Sequence, residues 1–171
     1  AGIEEAAREQ GAALLLLDPL MSRLDAGLDT HKDAEVRRAL EPLTVMADRT
    51  GMAVVGLIHL NKSGGSDALN QVMASRAFPA VARAVLHVVP DPDDETDRRR
   101  LLALSKNNLG RTDLPLMPFT IENFEIETDD DGTVRVGQIA WQQEIEGTIR
   151  DVMQRAEQDG DSRSATSEAG D

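Results

Sequence analysis

Residues 14–24, LLLLDPLMSRL, carry the clearest indication of the fold class. Four leucines run without alternation from Leu14 to Leu17, a pattern typical of a strand that is covered on both faces, as in a parallel sheet. The run ends at Asp18, which precedes Pro19. A carboxylate there must be paired, solvated or bound to a cation, because burying it alone is costly. The stretch therefore predicts a core strand with a candidate functional acid at its carboxyl end.

The composition permits one domain with a tail and excludes several classes of site. Hydrophobic residues make up 40% of the 171 residues but aromatic residues only 2%, so the core must be built from aliphatic side chains and methionine. The chain has no cysteine, which excludes disulfides and cysteine-based zinc sites. We find no apolar run of membrane-spanning length and no signal peptide, so we expect a cytoplasmic protein without a membrane partner.

The net charge of −13, from 31 acidic and 18 basic residues, disfavours general binding to nucleic acid. Any contact with DNA would have to come from a local loop, or from a ring of subunits that concentrates a few basic side chains.

Apolar runs alternate with helical patterns along most of the chain. The helical pattern that ends near Arg49 contains Pro42 and is followed by Thr50 and Gly51, a helix-stop signal. Two further runs flank the DDDG turn and predict a closing hairpin. This order predicts an α/β fold with a mostly parallel sheet flanked by helices and a C-terminal β-hairpin. Strands are predicted over residues 12–17, 53–60, 80–89, 101–105, 116–126 and 133–141, and helices over 3–10, 30–49 and 68–77.

The composition becomes polar and acidic near residue 146. We therefore predict one domain over residues 1–145 and an acidic tail over residues 146–171. Within the tail, residues 149–156 can form a short helix, and residues 157–171 are expected to be disordered.

Ligands of open α/β sheets bind at the carboxyl ends of the strands, which directs attention to the residues where the apolar runs stop. Asp18 can hold or orient Mg²⁺ or a metal-bound water, in the manner of a Walker B acid. The alternative is an aspartate that caps the next turn with the help of Pro19.

The second run ends in HLNK, which places His59, Asn61 and Lys62 at one strand end. Such a group can hydrogen-bond a terminal phosphate and transmit its loss to the following loop, where Gly64 and Gly65 permit movement. An ordinary polar turn with a satisfied histidine is the alternative.

Two cationic side chains accompany the next two runs. Arg83 lies in an otherwise apolar segment and needs a partner, either in a surface ion pair or as an arginine finger on a neighbour's nucleotide. Lys106 follows LLALS and can serve phosphate in trans, or it is a solvated loop lysine. Only three lysines occur in the chain, and both Lys62 and Lys106 fall at predicted strand ends.

Four segments in this order resemble the second half of a RecA-like AAA-family ATPase, and most closely the RepA-type replicative helicase group, whose members often occur beside primases. The resemblance covers about residues 1–125. The segments are LLLLDPL at 14–20, the stretch from HKDAEVRR to HLNKSGG at 31–65, SRAFPAVARAVLHVVPDPDD at 75–94 and LLALSKNNLG at 101–110.

The resemblance implies a partial P-loop NTPase core that uses ATP and Mg²⁺ as part of a homo-oligomeric ring. It implies that Asp18 is the Walker B acid at the metal, and that His59 is the sensor residue with Asn61 and Lys62 beside it. Arg83 would be the arginine finger supplied to the adjacent subunit. Lys106 would be the accompanying lysine in trans.

The resemblance also implies that the loop Ser63–Leu69 faces a central channel and touches single-stranded DNA, and that a primase or another replication protein is a partner. Asn108 departs from the pattern, because many relatives of the wider helicase group have an arginine there. The departure puts part of the trans site in doubt.

The Walker A half of the pattern is missing from residues 1–171. No GxxxxGK[ST] occurs, and the segment before Lys62 lacks the glycines that cradle phosphates. The family's catalytic glutamate would lie before Ala1. The chain begins at Ala1 instead of a methionine, which indicates a fragment, a gene model that lacks its front half, or ordinary trimming of an initiator methionine. We expect that residues 1–171 do not hydrolyse ATP by themselves and are an enzyme only together with the missing half.

Two other interpretations stay open at this point. The chain can be a non-catalytic interaction module derived from the same fold, with a binding surface in place of the nucleotide site. It can also be a phospho-acceptor or metal-binding acid domain, which would need an additional acidic pair near Asp18, for which Asp25 and Asp29 are the candidates in sequence.

Overall fold

The computed structural model describes residues 2–24, 32–59, 77–129, 132–156 and 158. The chain divides into two compact units, Ala1–Ala82 and Arg83–Asp171. Each unit has its own sheet, so the structure is mixed α/β with one parallel and one antiparallel sheet.

The first unit contains a parallel pair of short strands and the helices around it. Leu14 lies opposite Ala53 and Leu17 opposite Gly56, so both strands end at the same edge. The elements are α1 (Ile3–Glu9), β1 (Leu14–Leu17), a 3-10 helix (Leu20–Arg23), α2 (Asp33–Thr50), β2 (Ala53–Gly56) and α3 (Ala77–Val81).

Helix α2 supplies the largest part of the first unit's core. Val36 and Leu40 lie one turn apart on the buried face, together with Leu17 and Leu20. The predicted helix end is confirmed, because Gly51 adopts φ 68° and its N–H bonds the carbonyl of Ala47. A left-handed residue at this position favours glycine, which has no Cβ to clash. Around this core pack Leu15, Leu24, Leu43, Val54, Phe78 and Val81.

The leucine run of β1 is covered on one face only. Leu17 is buried, whereas Leu14 and Leu16 are 56% and 57% exposed. Alternate residues of a strand point to opposite faces, and Leu15 and Leu17 are the two that join the core with α2. The prediction of a strand covered on both faces is therefore wrong within the described residues.

The second unit is a four-stranded antiparallel sheet in the order β3-β4-β5-β6. Its strands are β3 (Ala84–Pro90), β4 (Arg100–Asn107), β5 (Met117–Thr128) and β6 (Gly132–Trp141). The predicted hairpin is confirmed, with Thr128 opposite Gly132 at its tip. The predicted mostly parallel sheet is wrong for the described strands, among which only β1 and β2 pair in parallel. Parallel pairing needs a crossover of a dozen or more residues, and the β3–β4 connection is too short for one.

Residues 149–156 form a helix, here α4, and belong to the packed part of the second unit. Val152 and Met153 are almost fully buried, and Arg155 forms an ion pair with Asp93. The predicted short helix over 149–156 is confirmed. The polar composition from residue 146 therefore does not mark the end of ordered packing, because two apolar side chains suffice to anchor the helix. Residues 159–171 lie outside the described part.

Across the described residues, the model contains no helix with the length and apolarity that crossing a membrane requires.

Candidate functional site

The chain positions Asp18 and His59 just beyond the ends of β1 and β2. The ladder continues past the strands, since the N–H of Leu57 bonds the carbonyl of Leu17 at 2.9 Å. The N–H of Leu20 then bonds the carbonyl of Leu57 at 2.8 Å. These two bonds hold the segment after β1 against the segment after β2, and they bring together residues 41 positions apart in sequence.

The side chains of Asp18 and His59 meet at this edge. Nε2 of His59 lies 3.1 Å from Oδ1 of Asp18, and the side chains are 71% and 53% exposed. The apolar run can end in a carboxylate because that carboxylate lies in solvent and has a partner. An exposed pair of this kind contributes little to stability, so its main effect is to orient the two groups.

Among the described residues, Asp18 makes no side-chain hydrogen bond that would cap the following turn. The 3-10 helix starts after Pro19 without a side-chain cap, and the carboxylate of Asp18 contacts His59 instead. Oδ2 of Asp18 has no partner among the described residues. This oxygen is free to accept a hydrogen bond from a ligand or to coordinate a cation.

A glycine at the end of β2 lets the 3-10 helix approach the strand closely. A Cβ on Gly56 would lie 2.8 Å from Cδ2 and 3.2 Å from Cβ of Leu20. Contacts this short would force Leu20 to move. Leu20 follows Asp18 by two residues. The absence of a Cβ at Gly56 therefore helps to set where Asp18 lies.

Asp18 fits Mg²⁺ as one ligand among several, not as part of a protein cage. Within the described ranges, no three histidine, cysteine, aspartate or glutamate side chains form a group that could hold a metal ion. Mg²⁺ is usually bound through one or two carboxylates, together with waters and substrate phosphates. A single exposed carboxylate next to a histidine is compatible with that chemistry.

The second unit brings the two predicted trans-acting cations to one end of the β3–β4 pair. Lys106 lies opposite Val85, and Arg83 immediately precedes β3. The carbonyl of Arg83 accepts a 2.8 Å hydrogen bond from the N–H of Asn108, which ties the two segments together. The Arg83 side chain is exposed and makes no ion pair with a described residue, so the surface ion pair considered above is not formed there.

The remaining sequence predictions fall on undescribed residues. Asn61, Lys62 and the loop Ser63–Leu69 all lie outside the described part of the chain, and so do Asp25 and Asp29.

Two polar pairs in the second unit were not predicted from the sequence. Nε2 of His87 lies 2.8 Å from Oγ of Ser105 on the neighbouring strand, and burial lowers the pKa of His87 from its ordinary value of 6.5. The carboxylate of Asp91 is almost fully buried and accepts a 2.6 Å bond from Nε of Arg99. The alternation of β3, in which His87 follows Val85 and precedes Val89 at steps of two, was the available signal for the first pair.

Comparison with known proteins gives one family match, and it covers the first part of the chain. The model of a family described as an AAA domain matches residues 1–65. This segment includes both strands of the parallel pair and the Asp18–His59 contact. The match supports an AAA-type ATPase family for this segment, and with it nucleotide binding in general. No curated protein and no solved structure matches the chain.

Proposed function

We propose that the chain is the C-terminal part of a RecA-like ATPase core of the replicative helicase group, which uses ATP and Mg²⁺ as a homo-oligomeric ring. The observation that carries the proposal is the 3.1 Å contact between Asp18 and His59 at the carboxyl ends of two parallel strands. A carboxylate and a titratable ring at that edge suit a metal-bound terminal phosphate. The AAA domain match over the same residues supports this interpretation.

In the proposed site, Asp18 holds Mg²⁺ or one of its waters, and His59 orients that carboxylate and senses the terminal phosphate. Asn61 and Lys62 complete the sensor end of the site. The bound Mg²⁺ would neutralise phosphate charge during hydrolysis. The phosphate-cradling loop would be supplied by polypeptide outside residues 1–171, because these residues contain no GxxxxGK[ST].

Arg83 and Lys106 act on the nucleotide of a neighbouring subunit in this proposal. Their common position at one end of the β3–β4 pair presents two positive charges together. Developing negative charge on a transferred phosphoryl group is what such cations stabilise. We also propose that the loop Ser63–Leu69 binds single-stranded DNA and that a primase or another replication protein is a partner. The ATPase test below does not examine either of these two contacts.

The test is ATP hydrolysis by the chain joined to the polypeptide encoded in frame upstream of Ala1. Asp18→Asn is expected to lower Mg²⁺-dependent turnover by about 100-fold. Arg83→Ala is expected to lower turnover by about 1000-fold while binding of a fluorescent ATP analogue changes little, because a finger acts on the transition state. Arg98→Ala is the matched control, since Arg98 is an exposed arginine of the same unit without an ion pair among the described residues.

Mixing the two inactive variants tests the trans assignment. In a ring of randomly mixed subunits, about one interface in four joins an intact Asp18 to an intact Arg83, so about a quarter of the activity returns. Absence of recovery in mixed rings would contradict the trans role of Arg83. Turnover that survives Asp18→Asn would contradict the whole assignment of the site.

A second candidate function is a non-catalytic interaction module, and the exposed apolar side chains of the antiparallel sheet favour it. Leu86 and Val88 of β3 are 60% and 61% exposed, and large contiguous patches of this kind mark interaction surfaces. This candidate predicts that the 171-residue chain folds stably by itself and binds no nucleotide.

A further inference from the structure

The β5–β6 hairpin extends beyond the sheet as an arm. Strand β4 pairs with β5 only from Met117 to Phe119, whereas β5 and β6 pair over ten positions. Residues 120–128 and 132–140 therefore bond only to each other within the described sheet. We call these two segments the arm.

The arm exposes apolar side chains on both of its faces. Ile121 lies opposite Ile139 on one face, and Phe124 lies opposite Val136 on the other. All four are more than a third exposed, and Ile121 is 61% exposed. A two-stranded ribbon that leaves both faces apolar is marginally stable in water, so a surface that covers it would stabilise it.

The arm is also acidic. It carries Glu122, Glu125 and Glu127 against the single Arg135, and Arg135 is already paired with Glu125 at 2.8 Å. Glu122 and Glu127 point to opposite faces, because their positions differ by an odd number along a strand whose side chains alternate. Each apolar face of the arm therefore has a carboxylate beside it. A surface that binds the arm must offer positive charge for the carboxylate and apolar side chains for the face.

The first unit has a groove with that character. It has a volume of about 300 Å³ and lies on α2 and α3. Neither Arg37 nor Arg38 forms an ion pair with a described residue, and both are exposed. Val81 supplies an apolar wall, and Glu41 is the acidic side chain present. We call this the α2 groove, lined by Arg37, Arg38, Glu41, Thr44 and Val81.

We propose that the arm of one copy of this chain docks in the α2 groove of a second copy. The carboxylates of Glu122 or Glu127 meet Arg37 and Arg38, and the apolar face of the arm covers Val81. The contact is selective, because a chain with a net charge of −13 repels its copies except where exposed arginines face carboxylates. The contact joins two different surfaces, and head-to-tail contacts of this type generate rings when the rotation closes.

The proposal rests on the assembly part of the proposed function, and it does not depend on nucleotide chemistry. The test is sedimentation velocity of the chain without nucleotide, over a range of protein concentrations at low and high salt. We expect concentration-dependent association that weakens with salt, since charged contacts are screened. Arg37→Glu/Arg38→Glu and Glu122→Arg/Glu127→Arg are each expected to raise the dissociation constant at least about tenfold.

A one-to-one mixture of the two charge-reversed variants is expected to associate again, because each reversed surface then meets a complementary one. Arg98→Glu/Arg150→Glu changes the net charge as much as Arg37→Glu/Arg38→Glu does, but outside both surfaces, and is expected to associate like the wild type. Phe124→Ala tests the arm without changing charge, and it is also expected to weaken association. Circular dichroism and Trp141 fluorescence check that each variant is folded.

Association that is unchanged in both reversed variants and in Phe124→Ala would overturn the arm contact and leave the proposed ring, with some other interface. A wild-type chain that stays monomeric at every concentration would overturn the contact and the ring for this chain. Neither result would bear on Asp18 and His59, whose nucleotide test is separate. Weakening in the Arg98→Glu/Arg150→Glu control to the same degree would show a general charge effect and would also overturn the contact.

Discussion

The two units of this chain use β structure in opposite ways. In the first unit, two four-residue strands pair in parallel and bring Asp18 and His59 together across 41 positions of sequence. In the second unit, four strands follow one another in antiparallel order, and each pairs with its neighbour in sequence. The parallel pair collects polar groups at one edge, which suits a site, whereas the antiparallel sheet presents extended faces and an arm, which suit contacts with other molecules.

The two units can be monitored separately. The chain contains one tryptophan, Trp141, and it lies on β6 in edge-to-face contact with Phe119 at 5.2 Å between ring centroids. Its fluorescence therefore reports unfolding of the second unit. Among the described helices the longest is α2, which lies in the first unit, so we use the helical signal in circular dichroism to follow that unit. The following predictions use these two signals to establish whether the units are energetically independent.

The largest effect is expected from a cavity in the first unit. Leu40→Ala removes a side chain that is 6% exposed, and it should lower the free energy of unfolding of that unit by about 3 kcal/mol. The helical transition in a urea titration should shift, while the Trp141 transition keeps its midpoint. Val45→Ala on the same helix is the control, because Val45 is 44% exposed. Equal shifts of both signals in Leu40→Ala would mean that the two units unfold as one.

A smaller effect in the other unit is expected from Arg99→Ala. The substitution leaves the buried carboxylate of Asp91 without its ion-pair partner. Unpaired buried charges are costly, and partial exposure of Arg99 reduces the loss to about 2 kcal/mol. Here the Trp141 transition should shift and the helical transition should not. Arg98→Ala, at the exposed neighbouring position, should change neither midpoint, and a shift as large as that of Arg99→Ala would contradict the role of the buried pair.

The smallest effect is a pH dependence of the second unit. Burial lowers the pKa of His87 in the folded state below its ordinary value of 6.5. The unfolded chain then binds more protons in the interval between the two pKa values, so this contribution to stability is complete above pH 6.5 and declines as the pH falls below it. His87→Gln can keep a hydrogen bond to Ser105 and cannot titrate. The midpoint of the Trp141 transition should therefore fall less in this variant than in the wild type between pH 7.5 and 5.5, and an identical fall would exclude His87 as the cause.

The features that were predicted correctly from the sequence are local. The end of α2 at Gly51 and the β5–β6 hairpin depend on a few adjacent residues, and both are present. Asp18 and His59 were singled out because strand ends are recognisable in sequence, and their side chains do meet. Their roles at a nucleotide site stay predictions. The pairing of β3 with β4 was not predicted, because a run of apolar residues carries no information about the direction of its neighbour. The pairs His87–Ser105 and Asp91–Arg99 were missed for the same reason.

Residues 80 and 81 were predicted in a strand but belong to α3. Otherwise the sequence alone was enough to predict most of the described strands and helices, the acid and the histidine that follow the first two strands, and a tight hairpin in the second half of the chain. These properties follow from side-chain periodicity and turn chemistry, which act over a few residues. The packed structure was needed to show that Leu14 and Leu16 are exposed, that the second sheet is antiparallel, and that Oδ2 of Asp18 has no partner among the described residues. Those outcomes depend on which surfaces pack against each other, and packing joins residues that are far apart in the chain.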